Sequence, residues 1–376
     1  MSGSRSLVPP LTALVVATLA AACGTRTPGR RVSPTGEDAG DCLRRACATI
    51  TYAVHQARPG DTVSVDSGTY HEGVLVTKRV TLLGHHATID AAGQASPPNG
   101  VMISGDSAAG TRVAGFTIRN AGLEGIYVLG TSHVTIENNA LLHNDAYGPG
   151  NPLCSKHQSD CGEAIHLQAV SGSTVRGNTI RDNFGGILLT DETGPTHHNT
   201  ISDNLLAENP RDCGITLASH WIDTTAAAAV APEVAGVYRN TVTGNRVSGS
   251  GGAGIGIFAA GPGGAAWENV VEGNTSTNNL FSGLMIHAHA PHQNVDGNVF
   301  RNNTLSGNGI DVENPADKAP AGISLYSAVV PIRGTVLTGN TISGEHYGVI
   351  ARGLDSTTDL TRNAFDSSVA ELAVRR

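Results

Sequence analysis

The sequence predicts an all-β fold in which short strands coil repeatedly around one axis, a parallel β-helix. Two recurring phrases support this prediction. One is a glycine followed by alternating apolar residues, as in "GIYV", "GILL", "GITL" and "GISL", and the other is centred on asparagine, as in "NTISDN" and "NTVTGN". Alternation with a period of two, interrupted by Gly and Asn, is typical of strands joined by tight turns. Self-similarity at a period of a few tens of residues indicates a solenoid.

The spacing of the glycine-apolar phrases fits coils of about three short strands. Ile165, Ile187 and Ile215 occupy the same place in successive phrases, at intervals of 22 and 28 residues. Three strands of a few residues each, with their turns, fill such an interval. Longer intervals, for example from Ile126 to Ile165, contain an evident insertion.

Asparagines that follow one type of strand are expected to stack as an internal ladder. Asn tolerates the left-handed backbone of a tight turn, and its amide can bond backbone groups of neighbouring coils. The expected ladder consists of Asn178, Asn204, Asn245, Asn274, Asn298 and Asn340.

Composition and charge exclude several classes of function. Gly accounts for 47 of the 376 residues and only 15% of residues are charged, which disfavours a helical protein. The net charge is −8 and the pI is near 6.0. The lysines are Lys78, Lys156 and Lys318, so no basic cluster is available to neutralise the phosphates of a nucleic acid. An anionic ligand would have to rely on Arg, His or a bound cation.

Residues 1–23 are predicted to be an export signal. Arg5 precedes the apolar run "LVPPLTALVVATLAAAC", which is too short to span a bilayer comfortably. The end of this run resembles a bacterial lipobox, so we expect Cys23 to be lipidated and the protein to be anchored at the cell surface. Simple cleavage and secretion is the alternative. Residues 24–41 are rich in Pro and Gly and predict a flexible tether, which leaves residues 42–376 as the folded domain.

The remaining cysteines fit an oxidising compartment. Cys42 and Cys47 are close enough in sequence for a local disulfide, and so are Cys154 and Cys161. Cys213 is left over in an apolar strand, where a buried, inert thiol is expected rather than a nucleophile.

A resemblance to known proteins agrees with the repeat pattern. The stretch "ITYAVHQARPGDTVSVDSGTYHEGVLVTKRVTLLGHHATID", residues 50–90, resembles the first coils of right-handed parallel β-helix proteins of the pectate-lyase-like superfold, in which a capping helix comes first. The later repeats resemble those of the NosD-like and right-handed β-helix repeat families. The resemblance implies the fold, but one superfold carries many chemistries. Independently, Ile50, Ala53, Val54 and Ala57 have helical spacing, as a cap on the solenoid requires.

Side chains that point outward from the glycine-apolar strands are expected to form columns along one flank. Aromatic, His and Met residues are frequent in these columns, a composition suited to an extended polysaccharide. Loops that follow the same strand on successive coils, such as 190–198 and 218–236, wall this surface and make a cleft. The residues expected to bind substrate are Tyr127, Gln168, His198, His220, Phe258, His287 and Tyr326.

Three residues in this cleft are the candidate catalytic groups, His166, Asp191 and Glu192. We expect His166 to reach Asp191 on the next coil, because a His oriented by a carboxylate is a competent acid or base near neutral pH. Two carboxylates facing each other would instead suit a glycosidase. Alternatively "DETGP" is only a turn, in which Asp191 caps backbone amides. Lyase, epimerase and glycoside hydrolase chemistry are all compatible with the pattern, although the middle coils lack the outward Arg that a pectate lyase reaction favours.

Two metal sites are predicted as further alternatives. His287 and His289 project to the same side of a strand and can chelate one transition-metal ion, with His292 as a possible third ligand. This pair favours a metal-handling protein of the NosD type. The candidate Ca²⁺ ligands are Asp160, Glu163 and Asp212.

The sequence thus leaves three functional interpretations, in a protein expected to be a monomer whose partner is an extended polysaccharide. The first is a polysaccharide-cleaving or epimerising enzyme, the second is a non-catalytic glycan- or envelope-binding module, and the third is the metal-handling protein.

Overall fold

The chain winds as a right-handed parallel β-helix, as the sequence predicts. The computed structural model describes residues 29–94, 96–144, 162–309, 321–353, 362–365 and 370–374. Within these ranges, every strand pairs in parallel with a strand of a neighbouring coil, and the strands form two sheets of 20 and 14 members.

The first sheet receives two short strands from most coils, separated by a turn. Its strands are Arg30–Val32, Thr62–Val65, Gly68–Tyr70, Thr81–Asp90, Arg112–Arg119, Thr135–Glu137, Ala140–Leu142, Thr174–Arg176, Thr179–Arg181, Thr200–Ser202, Leu205–Ala207, Thr241–Thr243, Arg246–Ser248, Val270–Glu272, Thr275–Thr277, Val299–Arg301, Thr304–Ser306, Val336–Thr338, Thr341–Ser343 and Ala364–Phe365.

The second sheet contains the glycine-apolar phrases. Its strands are Val74–Val76, Val101–Ser104, Ile126–Ser132, Glu163–Ser171, Gly185–Thr190, Thr196–His197, Ile215–Ser219, Val237–Tyr238, Ile255–Ala259, Ala266–Trp267, Leu284–Ala288, Ala321–Ser327, Tyr347–Arg352 and Ala370–Val374. Glu163–Ser171 runs unbroken, whereas on the next coils a loop divides the equivalent strand in two, as between Gly185–Thr190 and Thr196–His197.

A helix, Ile50–Gln56, packs on the first coils where the sequence predicts a cap. Thr49 precedes it, and the Thr49 hydroxyl accepts a hydrogen bond from the backbone N–H of Tyr52, as an N-cap residue should. The buried face of the helix consists of Ile50, Ala53 and Val54. The other helical segment that the structure describes is a 3₁₀ turn, Asp106–Ala108. No helix in the described ranges is both long and apolar enough to cross a membrane.

The ordered solenoid begins earlier than the sequence predicts. Arg30–Val32 pairs with Thr62–Val65, although residues 29–41 belong to the stretch expected to be a tether. The Arg30 side chain is buried and forms a 2.8 Å ion pair with Asp61, so a specific contact outweighs the Pro/Gly-rich composition. Cys42 and Cys47 form a disulfide. Residues 1–28, with Cys23, lie outside the described ranges.

The side chains that point inward form a continuous apolar core. Ile126, Ile165, Ile187, Ile215 and Ile255 are register partners on five successive coils, and each is at most 1% exposed. Parallel strands that are buried in this way are rich in Val, Ile and Leu. This enrichment is why the glycine-apolar phrases could be recognised in the sequence.

Asparagines stack inside the turns of the first sheet, largely as predicted. The backbone N–H and the side-chain amide of Asn245 both donate to Asn274 Oδ1, at 2.9 and 3.0 Å, and the same pattern joins successive coils. This ladder contains Asn139, Asn178, Asn204, Asn245, Asn274, Asn303, Asn340 and Asn363. The prediction is wrong for Asn298, which accepts from Asn269 in a separate ladder, because each kind of turn stacks its own asparagines.

Candidate functional site

The outward columns of the second sheet run in register along one flank of the solenoid. His166 is the register partner of Tyr127 on one side and of Leu188 on the other. Two positions further along the strands lies a second column. From the Ile255–Ala259 strand onward it contains, in order, Phe258, His287, Tyr326 and Arg352.

The first column, which contains Tyr127, His166 and Leu188, is largely buried, and this corrects the expectation that the outward columns face the solvent. His166 is 4% exposed and Met285 is 3% exposed. Met285 packs with Cys213 and Ala253, which precede neighbouring strands and cover this part of the sheet. Cys213 is a buried thiol, as expected, and burial raises its pKa. The accessible surface is therefore provided by the loops and, from Phe258 onward, by the second column.

Glu192 and His220 form an ion pair where two loops of adjacent coils leave the second sheet. Glu192 follows the strand Gly185–Thr190, and His220 follows the strand Ile215–Ser219. The distance between His220 Nδ1 and Glu192 Oε1 is 2.7 Å, and their side chains are 13% and 34% exposed. Burial alone would raise the pKa of Glu192, but the hydrogen bond and the charge of His220 lower it to about 2. The pair is therefore a carboxylate–imidazole dyad that the solvent can reach.

Asp191 is an anchor in the structure rather than a solvent-facing carboxylate. It is fully buried, and it accepts hydrogen bonds from the Ser219 hydroxyl and the His220 N–H, both at 2.7 Å, and from the Trp221 N–H at 3.1 Å. Burial raises its pKa. The expected contact with His166 is not made, because Asp191 turns toward the next coil. Asp191 does cap backbone amides, as the alternative interpretation states, but these amides belong to the loop of the next coil and not to its own turn.

His166 instead contacts a carboxylate that precedes the strand of the coil before it. Its Nδ1 lies 3.4 Å from Glu124 Oε1, and its Nε2 lies 2.8 Å from Thr190 Oγ1. The Asn99 side-chain amide donates to the other oxygen of Glu124 at 2.5 Å. Sequence reasoning missed Glu124, although it stands two residues before Ile126, just as Glu163 stands two residues before Ile165. That shared position was the available signal.

Tyr127 and Gln168 lie beside His166, as predicted for residues of one flank. The Tyr127 hydroxyl hydrogen-bonds Gln168 Oε1, and the Tyr127 ring centroid lies 5.2 Å from that of His166. The Gln168 amide donates to Thr193 Oγ1, in the loop after Glu192, at 3.3 Å. These contacts connect the His166 region to the loop that holds the exposed dyad.

The second column continues this flank as a row of partly exposed rings. The Phe258 and His287 centroids are 6.1 Å apart, and those of His287 and Tyr326 are 5.0 Å apart, both nearly perpendicular. The Arg352 guanidinium lies 5.4 Å from the centre of the Tyr326 ring. The structure thus brings Phe258, His287 and Tyr326 together, and it adds Arg352.

The described residues add no third ligand to the predicted transition-metal site. The centroids of the His287 and His289 rings are 5.1 Å apart, and the rings are tilted by 48°. Among the residues described by the structure, however, no group of three His, Cys, Asp or Glu side chains is arranged to hold a metal ion, so His292 does not complete the pair. A protein site for Zn²⁺ or Cu²⁺ commonly supplies three or four ligands. Within the part of the chain that the structure describes, His287 and His289 are therefore one or two ligands short of such a site.

The Ca²⁺ ligands proposed from the sequence are only partly described. Glu163 and Asp212 both lie next to Gly185, because a Cβ atom at Gly185 would be within about 3.2 Å of the side chains of both residues. Asp160 lies outside the described residues, as do Cys154 and Cys161.

His198 lies in a different cluster from the other predicted binding residues. It comes after the loop that contains Glu192, and its Nδ1 is 2.7 Å from His197 Nδ1. The His197 ring stacks on Tyr238 at 4.9 Å, and Tyr238 stacks on Trp267 at 4.3 Å. Sequence analysis missed this aromatic stack, because the intervening loops differ in length and hide the common register of the three residues.

Two family models match the sequence. "Right handed beta helix region" matches residues 99–261, and "Periplasmic copper-binding protein (NosD)" matches residues 239–373. No curated protein matches the chain by sequence.

Solved structures share the fold at low sequence identity. DFA-IIIase from Arthrobacter chlorophenolicus A6 in complex with GF2 is 13% identical, with a TM-score of 0.58, over 92% of this chain and 90% of that one. Pectate lyase Pel9A is 18% identical, with a TM-score of 0.55, over 91% and 82%. PfbA, a surface adhesin of Streptococcus pneumoniae, is 14% identical, with a TM-score of 0.50, over 86% and 88%. At such identities the likeness establishes the fold and leaves the activity to be argued from the site.

Proposed function

Because the chain is a right-handed parallel β-helix protein of the pectate-lyase-like superfold, we propose that it binds an extended polysaccharide along the second sheet and hydrolyses it at Glu192 and His220. The observation that carries this proposal is the dyad itself, an ionised carboxylate joined at 2.7 Å to an imidazole where two loops open to the solvent. The shared fold with pectate lyase Pel9A supports a carbohydrate ligand.

The dyad is suited to proton transfer near neutral pH. Glu192 stays ionised and accepts a hydrogen bond from His220 Nδ1, so Nε2 is the basic atom of the ring. In the proposed reaction the imidazolium form of His220 gives its Nε2 proton to the departing glycosidic oxygen as the bond to the sugar breaks. The neutral ring then takes a proton from the water that attacks the sugar. Glu192 stabilises the imidazolium and the positive charge that develops on the sugar ring.

The charges around the dyad favour a neutral sugar at the point of cleavage. Glu192 and the buried Asp191 lie side by side, and Glu124 lies behind Thr190 and His166. The charged side chains that act most strongly on the pKa of Asp191 and Glu192 are Glu192, His220 and His166, and none of these is an Arg or a Lys. A uronate carboxylate would be repelled there, and β-elimination requires a cation to neutralise it. We therefore propose hydrolysis rather than lyase chemistry.

The second column provides the binding surface for the rest of the polysaccharide. Phe258, His287 and Tyr326 follow one another on successive coils. With strands about 4.8 Å apart, four coil steps from Glu192 to Tyr326 cover roughly 19 Å. Partly exposed rings with polar edges suit sugar rings, which pack on aromatic faces and bond through hydroxyls.

The test is a panel of neutral and uronic-acid polysaccharides, assayed for new reducing ends and for the ultraviolet absorbance of unsaturated products. We expect reducing ends without unsaturated products, on a neutral glycan. Glu192→Gln and His220→Gln should each lower kcat by about 10²-fold or more. Glu208→Gln is the matched control, because Glu208 is also exposed and paired, with Arg181, but lies in the turn after Leu205–Ala207, a strand of the first sheet.

Other outcomes on the same panel would reject the hydrolase. Unsaturated products would establish a lyase. Glycan binding that persists without turnover, and that is unaffected by His220→Gln, would establish the non-catalytic binding module. Metal retained through dialysis and lost in His287→Ala would favour the metal-handling interpretation suggested by the NosD match.

We also propose that residues 1–23 direct export and that Cys23 carries a lipid anchor. The support is the sequence of the apolar run and its lipobox-like end. Fractionation of cells that express the full chain tests this: Cys23→Ser should move the protein from the membrane fraction to the soluble exported fraction. An unchanged distribution would exclude the anchor.

A further inference from the structure

A shallow groove lies on the first sheet, whereas Glu192 and His220 follow strands of the second. The groove has a volume of about 320 Å³ and is lined by residues of four successive coils, among them His86, Thr117, Asn138 and Thr179. Sites for small molecules commonly measure about 300–1,000 Å³, so this groove has room for a small ligand. The proposed hydrolysis uses none of the residues that line it.

The groove exists because a small residue stands between two larger ones in one column of the first sheet. Ala140 is the register partner of Thr117 on one side and of Thr179 on the other. Two coil steps of about 4.8 Å separate the two threonines, which places their Cα atoms roughly 10 Å apart. On the following coils the same column contains Leu205 and then Arg246, so the depression is confined to the coils around Ala140. We call it the Ala140 groove.

Two glycines extend the groove into the turn that precedes these strands. The register places Asn138 between Gly115 and Gly177, and all three residues have a positive φ, of 54°, 79° and 63° respectively. A Cβ atom at Gly177 would lie 2.7 Å from Asn138 Oδ1, and one at Gly115 would meet the carbonyl oxygen of Gly84. The turn therefore has room for a side chain at Asn138 but not at either glycine.

The polar side chains around the groove are not used by the fold. The His86 imidazole, the Asn138 amide and the hydroxyls of Thr117 and Thr179 make no hydrogen bond with the part of the chain that the structure describes. His86 and Asn138 are exposed, and the two threonines are half-buried. Asn139, the next residue in the chain, is by contrast fully bonded within the ladder. Donors and acceptors on a rigid sheet are thus available to a ligand.

The charged side chains that flank the groove are paired with one another. The pairs are Glu137 with both Arg112 and Arg176, Arg119 with Asp90, and Arg181 with Glu208. Asp203 follows Gly177 in the turn column, but its carboxylate lies over Gly244 on the next coil. The groove therefore offers hydroxyl, amide and imidazole groups rather than a charge, and this set suits the hydroxyl groups of a neutral sugar.

We propose that the Ala140 groove is a second carbohydrate site, which binds one neutral sugar ring of a polysaccharide through hydrogen bonds to His86, Thr117, Asn138 and Thr179. No bond is made or broken there. The site goes beyond the proposed hydrolysis, because it requires neither Glu192 nor His220. A polymer long enough to reach both sheets would be held more tightly than a short oligosaccharide, since its second contact is intramolecular.

The test is an NMR titration of the protein with free glucose, galactose, mannose, fructose and xylose, and with glucuronate for comparison. The readout is the ¹⁵N signal of the Asn138 side-chain amide, which is assigned by its loss in Asn138→Gly. We expect at least one neutral sugar to shift this signal at about millimolar concentrations, because a few hydrogen bonds to a single ring give weak binding. Glucuronate should bind less tightly than that sugar.

The decisive substitution is Ala140→Leu, which fills the groove and should abolish the shift. The fold should tolerate this change, because Leu205 occupies the same column. Ala207→Leu is the matched control: it makes the same change in a neighbouring column of the first sheet, where Leu142 stands naturally, and should leave sugar binding unchanged.

A second substitution removes one ligand and keeps the backbone. Asn138→Gly places in the turn the residue that Gly115 and Gly177 place there on adjacent coils, so the positive φ is retained. We expect the Kd for the sugar, measured by calorimetry, to rise about tenfold, as for the loss of one or two hydrogen bonds. Asn278→Gly is the control, because the Asn278 side chain lies over Gly307 in the same way but at another turn, and its Kd should be that of the wild type.

Three results would overturn the proposal. They are an Asn138 signal that none of the five neutral sugars shifts, a shift that persists in Ala140→Leu, and glucuronate that binds as tightly as the best neutral sugar. None of these measurements depends on turnover. A protein that cleaves no polysaccharide but binds sugar in the groove would reject the hydrolase and keep this site, and cleavage without binding in the groove would do the reverse.

Discussion

Asn245 and Asp191 are both fully buried polar side chains, but they are satisfied in opposite ways. Asn245 lies in a turn of the first sheet and bonds the equivalent asparagines of the neighbouring coils: it accepts from Asn204 and donates to Asn274. Asp191 lies at the loop edge of the second sheet and bonds three unlike groups, from Ser219, His220 and Trp221. The first arrangement repeats along the solenoid, and the second occurs at one place.

This difference separates the scaffold from the site. A repeated polar contact adds the same stabilisation at every coil and constrains no loop in particular. A single contact between unlike residues fixes one loop, and here that loop carries His220. Substitutions in the ladder should therefore affect stability most, whereas substitutions at the loop edge should affect both stability and the geometry of the dyad.

The largest effect is expected for Asn245→Ala. The substitution removes the acceptor of two Asn204 donors and the amide that bonds the carbonyl oxygens of Ile201 and Thr243. Unpaired buried groups cost about 1–3 kcal/mol each, so we expect a loss of roughly 3–5 kcal/mol in the free energy of unfolding, measured with urea. Thr243→Ala, in the neighbouring half-buried position, should cost far less. Equal costs would show that the ladder contributes little.

Asp191→Ala should have the next largest effect. It leaves the Ser219 hydroxyl and two backbone N–H groups without an acceptor, which predicts a loss of roughly 2–4 kcal/mol and a misplaced His220. Asp191→Asn keeps an acceptor for the backbone groups and should preserve both stability and glycan cleavage. Urea denaturation and kcat for the two variants test this. Lost activity in a stable Asp191→Asn protein would instead assign Asp191 a direct chemical role.

The same contrast explains which features the sequence could predict. The ladder and the apolar core repeat, so their pattern was visible, and the sequence predicted the fold, the cap helix and most of the ladder. Asn298 was misassigned because it recurs at the same interval as Asn303, which stands five residues later in the true ladder. Repetition predicts that a ladder exists, but not which of two parallel ladders a residue joins.

The site was only partly predictable because its contacts do not repeat. His166 could be chosen from its residue type and its outward position in a strand, and Glu192 and His220 from their residue types and the loops that contain them. The carboxylate beside His166 was missed because a long insertion separates Glu124 from His166, and the one signal for it was its position two residues before Ile126. The sequence could not show which of Asp191 and Glu192 is the exposed carboxylate. The alternation of inward and outward side chains ends at Thr190, so the direction of the chain after that residue could not be predicted.

Glu345 occupies a position that is equivalent to an asparagine of a ladder. Its substitution should change the free energy of unfolding less than the two substitutions above. It accepts from the Asn308 side-chain amide where other coils place an asparagine, and its second oxygen has no hydrogen-bond partner among the residues that the structure describes. Burial raises its pKa to about 6 from 4.5. The folded state therefore favours the protonated form, and the ionised form destabilises the fold by about 2 kcal/mol, at 1.36 kcal/mol per pKa unit.

Glu345→Gln should accordingly stabilise the protein by up to about 2 kcal/mol above pH 6. The gain should decrease as the pH falls from about 6 toward 4.5 and should vanish below it, because both folded and unfolded chains are then protonated. Thermal unfolding at pH 4.5 and pH 7.5 provides the measurement. A gain that is the same at both pH values would show that the charge of Glu345 is not the cause.

The smallest effect is expected for a contact between coils on the outer surface. Arg301 and Glu272 are register partners joined at 2.7 Å, with side chains 46% and 33% exposed. The hydrogen bond from Arg301 lowers the pKa of Glu272, so the stabilisation is present above the unfolded pKa and is lost as the pH falls through the folded one. Exposed pairs contribute less than about 1 kcal/mol, and Arg301→Gln should cost no more than that, at neutral pH and low salt only. Asn245→Ala and Arg301→Gln each remove a contact between adjacent coils, and urea denaturation gives the loss in the free energy of unfolding for both. If the two losses were similar, the ladder would be stabilising because it joins coils, and not because its side chains are buried inside the turn.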